Sequence, residues 1–139
     1  MELQEVITRL REIKEYKGRI LDEERRLSTP VMRNMKDIPM VLGYCEEAYR
    51  SFHPEEGIRR SEMRRVSIFI LLFLFSPQTL AGGKMGSGIR EGIANAMGIE
   101  SSNISHYHSN IWFYYRVYES FRNDVNNVFN VVFEKLRQK

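Results

Sequence analysis

The chain of 139 residues carries a single cysteine, Cys45, so it cannot form a disulfide within itself. That excludes a small secreted scaffold stapled by disulfides and fits a reducing compartment. Cys45 stands in an apolar stretch with no histidine nearby, and it reads as a buried packing residue rather than an activated thiol. Four prolines and nine glycines are too few for a fibrous repeat or a disordered chain. Long hydrophobic runs are missing as well. The run from Val66 to Phe75 is about half of what a bilayer-spanning helix needs, and the opening segment "MELQEVITRL" lacks an apolar signal core. The expectation is a cytoplasmic protein that makes no use of a membrane.

Constellations that carry catalysis are also lacking. No Ser–His–Asp grouping, paired carboxylate site or zinc-ligand spacing can be picked out. His106 and His108, two apart on a helix, point to different sides, and no cysteine or acidic pair completes a ligand set. Gly82, Gly83 and Lys84 resemble a phosphate-binding loop only superficially, because Met85 follows the lysine where Ser or Thr is required. The chain is therefore expected to be no enzyme and to need no cofactor and no metal.

What is present is the composition of a folding chain, 42% hydrophobic and 28% charged, with the length of about one domain. A modest net charge of +3 hides an uneven distribution. Residues 1–57 hold 10 Lys or Arg against 12 Asp or Glu, whereas residues 58–139 hold 11 against 6. Any polyanionic partner is thus directed to the C-terminal half.

Hydrophobic spacing predicts helices throughout, an all-α fold. From Met1 to Leu27 the residues Leu3, Val6, Leu10, Ile13, Ile20 and Leu27 alternate in steps of three and four, with Lys17 and Glu24 at the remaining seam positions. This is a long charged helix, either a short coiled coil that pairs two copies or an amphipathic helix packed on its own domain, since Ile7, Tyr16 and Leu21 widen the stripe. A second helix is predicted from Pro39 to Phe52, with the proline in its first turn. "HPEEG", His53 to Gly57, suggests a boundary between an N-terminal helical arm, 1–57, and a C-terminal domain, 58–139. A helix capped by Ser61 and buried on all sides from Val66 to Phe75 should follow, with a central strand as the alternative. Ser76 to Gly88, with a proline and several glycines, reads as loop. The last helices are predicted over Ile89–Met97, Ser101–Phe121 and Asn123–Leu136.

The segment "GIANAMGIESSNISHYHSNI", Gly92 to Ile111, carries the functional reading. A helix–turn–helix needs a small residue at the crossing, a turn-forming residue after it, and apolar side chains that lock the second helix on the first. Ala94, Gly98 and the set Ile93, Met97, Ile99, Ile104 and Tyr107 supply these in order, with Ser101 or Ser102 as helix cap. Ser101, Ser102, Ser105, His106 and Ser109 are then left on the exposed side, with Asn103 close by. Their hydroxyl, amide and imidazole groups can hydrogen-bond base edges and phosphates without an arginine. Positive charge for the DNA backbone would come from Arg64, Arg65, Lys84 and Arg90, with Arg59 and Arg60 nearby. The aromatics in "IWFYYRVYESF" fit core or a subunit contact better than base stacking.

On these residues the chain resembles the C-terminal DNA-binding domain of the bacterial replication initiator DnaA, whose signature runs approximately G-R-D-H-T-T-V-x-H-A. Gly98 opens the match, Glu100 falls at the aspartate, Ser102 and Asn103 at the paired threonines, Ile104 at the valine and His106 at the later histidine. Ile99 stands where that family has arginine and Ser101 where it has its first histidine. The resemblance spans roughly residues 59–136 and implies an all-helical domain whose helix–turn–helix binds duplex DNA. The expectation is a non-enzymatic duplex-DNA-binding protein, a small regulator of transcription or replication, with the N-terminal helix as a route to a homo-oligomer. The alternative is a helical assembly protein whose hairpin at Gly98 is purely structural.

Overall fold

A computed structural model describes residues 2–54 and 59–138, and among them it contains seven helices and no strand, so the all-α reading holds. Helix α1 (Leu3–Ser28) is charged and free of proline, with Glu5 in its first turn and Arg25 and Arg26 in its last, both suited to the helix dipole. It ends where the Ser28 and Thr29 hydroxyls donate to the carbonyls of Glu24 and Arg25, each at 2.7 Å, and Pro30 follows. No residue of α1 is buried, and it touches α4 (Pro77–Leu80).

Asn34 caps a single 3-10 turn, Met35–Asp37, by accepting from the Lys36 N–H at 3.0 Å. Helix α2 (Ile38–Phe52) starts there with Pro39 in its first turn, as predicted, and buries Ile38, Val41, Leu42, Cys45, Ala48 and Tyr49. Helix α3 (Arg60–Phe75) forms the centre of the molecule. It packs against α2 and against α5 (Ile89–Met97), α6 (Ser101–Val117) and α7 (Glu119–Arg137). Neighbours on every side explain why Val66 to Phe75 is buried all round except at Phe73, and why helix prevails over strand. The polar exception, Ser67, donates its hydroxyl to the Met63 carbonyl at 2.8 Å and so stays satisfied within the core. Ser61 is not the cap: α3 begins one residue earlier, flanked by Arg59, with no side-chain cap.

The boundary expected at Gly57 lies outside the described residues. On its N-terminal side α2 shares one core with the helices on its C-terminal side, running antiparallel along α7. His53 Nε2 meets Asp124 Oδ1 at 2.9 Å near one end, and Lys135 Nζ meets Glu47 Oε2 at 3.2 Å toward the other. Residues Ser76–Gly88, expected as loop, begin with the one-turn helix α4. Buried Ser76 pins this segment: its hydroxyl pairs with that of Thr79 at 2.9 Å and accepts the Gly86 N–H at 3.0 Å.

The last two helices divide at Tyr118, whose backbone is extended, and not near Phe121 as predicted. No proline or glycine marks the break. It is held by Arg122, whose Nη1 donates to the carbonyls of Tyr115 at 3.2 Å and Arg116 at 3.1 Å, taking up groups that the end of α6 leaves open.

Candidate nucleic-acid interface

Helices α5 and α6 are joined by a three-residue turn at Gly98, Ile99 and Glu100. Gly98 has φ +69°, and its N–H donates to the Asn95 carbonyl at 3.3 Å while the Ile99 N–H donates to that of Ala94 at 3.0 Å. Such a pair of bonds around a left-handed residue closes a helix, and glycine adopts that backbone without steric cost. Ala94 is buried on α5, and Ile93, Ile104 and Ile111 are buried with it. Met97, Ile99 and Tyr107 are half-buried against the same core. The side chains expected on the inside of this pair are found there.

The expected cap is not. Glu100 precedes α6, and neither Ser101 nor Ser102 bonds back to the helix start, so no side chain covers the first-turn N–H groups. Ser102, Asn103, His106, Ser109 and Asn110 are exposed, whereas Ser101 and Ser105 are half-buried at the margins. Steps of four and three put Ser102, His106, Ser109 and Phe113 on one face, polar toward the N-terminus and aromatic further on. The Ser109 hydroxyl turns back to the His106 carbonyl at 2.9 Å. Between Glu100 and Glu119 the helix has no carboxylate.

The basic residues flank this face unevenly. The Arg65 guanidinium lies 4.3 Å from the Tyr114 ring centroid and 5.7 Å from that of Tyr107, a half-buried cation held against the side of α6. Arg64 turns elsewhere. With Arg50, Arg60 and Glu46 it surrounds a cavity of about 270 Å³ beside Ala96 and Met97 at the end of α5. Lys84 is exposed on the glycine-rich segment. Arg90 is half-buried, and its Nε is enclosed without a hydrogen-bond partner among the described residues. Burial, followed by the nearby charge of Arg90, holds His108 below the usual histidine range. His106 is exposed and His108 half-buried, so the two do not converge, and among the described residues no metal-ligand cluster forms.

Sequence reasoning missed a groove of about 1040 Å³ between α3, α4, α6 and α7. Trp112 stacks on Tyr115 at 5.6 Å and Tyr115 on Phe69 at 4.7 Å, forming an aromatic wall along it. The aromatic run therefore serves the core through Tyr115 and leaves Trp112 and Phe113 exposed. The density of aromatics from Ile111 to Tyr118 was the available signal. Cys45 is fully buried; burial first, and then the charge of Glu46, push its thiol up to about 12, so it stays protonated and unreactive.

Compared with family models, curated proteins and solved structures, the chain gives no match.

Proposed function

We propose that this protein binds duplex DNA through the N-terminal half of α6, as a non-enzymatic regulator of transcription or replication. The observation that carries the reading is the polar, carboxylate-free face of Ser102, Asn103, His106 and Asn110 at the start of a helix locked on its partner by Ala94, Ile93 and Ile104. Neutral donors and acceptors on a helix that fits the major groove discriminate bases, and the absence of acidic groups between Glu100 and Glu119 limits repulsion from phosphate to the Glu100 end. Lys84 and Arg90 supply backbone contacts from one flank. Arg65, stacked on Tyr114, serves first to brace α6 and second as a fixed positive charge beside it. This agrees with what the resemblance to the DnaA C-terminal domain implies. Assembly through helical surfaces is the second reading, favoured by the apolar faces left exposed on α1 and at Trp112 and Phe113.

Fluorescence anisotropy with labelled duplexes at about 50 and 200 mM salt tests the proposal, since each phosphate contact contributes roughly one unit to the salt slope. The expected result is binding that weakens steeply with salt. Joint replacement of Ser102, Asn103 and His106 by alanine should level affinities between sequences, at about 1–3 kcal/mol for each base that is no longer read. Lys84→Ala with Arg90→Ala should instead weaken all duplexes and flatten the slope. Binding absent at low salt, or unchanged in both variants, refutes the assignment.

A further inference from the structure

Helix α1 exposes eight large apolar side chains, from 46% for Ile7 to 78% for Leu3, and has no buried residue. At about 100 Å² for a large aliphatic side chain, this is roughly 500 Å² of apolar surface, which is what the apolar part of a standard interface of about 800 Å² per partner contains. A surface of that size on a helix lying outside its own core calls for an occupant. We infer that the occupant is α1 of a second copy of this chain, and that the two helices run antiparallel with Leu3 of each facing Leu27 of the other.

The charges select this arrangement. Leu3, Leu10, Lys17 and Glu24 form one column of the seam, and Val6, Ile13, Ile20 and Leu27 the other. A parallel pair sets Lys17 against Lys17 and Glu24 against Glu24, and it brings Arg9 beside Lys14 of the partner helix on both sides, all of them repulsive. In the antiparallel pair Lys17 faces Ile13 and Glu24 faces Val6. Their aliphatic stems cover the seam while the charged ends reach water. Arg9 then meets Glu23 twice, and Ile7 meets Leu21, two of the three residues that widen the stripe. Lys14 opposite its own copy is the like-charge cost that remains. The full length of α1 overlaps in this register. The inference does not depend on DNA binding, and its test uses no DNA.

Sedimentation velocity on the full chain should show a dimer at micromolar concentrations, and Ile13→Asp with Ile20→Asp should give a monomer of unchanged near-ultraviolet circular dichroism. Arg9→Glu should weaken the dimer about tenfold, and adding Glu23→Arg should recover it. Under air oxidation, Leu3→Cys should not cross-link to its own copy, whereas Leu3→Cys with Leu27→Cys should, because sites at opposite ends of one helix cannot reach each other. A monomer throughout the concentration range overturns the inference. So does a dimer strengthened by Arg9→Glu or cross-linked through Leu3→Cys alone, since either result means a parallel pair.

Discussion

Gly98 shows how one residue shapes the turn on which the candidate interface depends. Its left-handed backbone lets α6 turn back on α5, and a Cβ at this position would meet nothing within 4 Å. Any cost of a side chain is therefore backbone strain alone. For alanine this is about 1–2 kcal/mol, part of it offset by the lower entropy of the unfolded chain, leaving about 1 kcal/mol net. Asparagine, which tolerates this region, should cost less. Ile104, fully buried beneath the same turn, should lose about 2–5 kcal/mol on replacement by alanine, because a cavity is left in the core. Urea unfolding of Gly98→Ala, Gly98→Asn and Ile104→Ala should rank them in that sense, with Ile104→Ala the least stable. A Gly98→Ala protein as stable as the parent would mean that the turn does not hold its left-handed form.

At the scale of helices, the contact between α5 and α6 carries a pH dependence. His108 is held below its ordinary range by burial and by Arg90 beside it. Between the lowered folded value and the ordinary unfolded one, the unfolded chain binds more protons than the folded chain. Stability from this group is thus present above the ordinary histidine range and is lost as pH falls through that window toward the folded value. Thermal unfolding of the parent and of His108→Gln between about pH 5 and pH 8 reads this directly, since histidine alone titrates there unperturbed. The parent should lose more stability than the variant on acidification, and parallel curves would rule out the coupling. The same scale shows what the sequence makes legible. Helix α5 and the interior of its pair with α6 follow from Ala94, Gly98 and the spacing of Ile93 and Ile104, because glycine and aliphatic periodicity act locally. The division at Tyr118 was hidden because its cause is Arg122, which reaches back over α6 from the following helix. The groove was hidden for a related reason, since Phe69, Trp112 and Phe129 come from three helices whose approach no local pattern specifies. The displacement of Arg64 from the α6 face likewise depends on α2, which brings Glu46 and Arg50 beside it.

For the whole molecule, α1 and the remainder should behave as separable parts. The core is built from α2, α3, α5, α6 and α7 with no buried contribution from α1, and Met32, just beyond α1, is already tied back by its N–H to the Leu74 carbonyl at 2.9 Å. A chain beginning at Thr29 should therefore keep the unfolding temperature of the parent to within about 4 °C, the shift that roughly 1 kcal/mol produces at this size. By contrast, Val132→Ala, at a fully buried position on α7, should lower it clearly. The shortened chain should also separate affinity from avidity. An α1 of 26 residues is about 39 Å long, so antiparallel pairing places the two cores at opposite ends of a rod longer than one turn of DNA, about 34 Å. On the proposed DNA-binding reading, two α6 faces carried at the ends of such a rod would engage two separated sites on one duplex, with the gain that linkage confers. Removing α1 should leave binding to a duplex with one site unchanged and abolish the tighter binding to a duplex with two separated sites, as measured by anisotropy on both. Unchanged binding to the two-site duplex would show that α1 does not couple the reading faces, and a collapse in unfolding temperature would show that α1 belongs to the core after all.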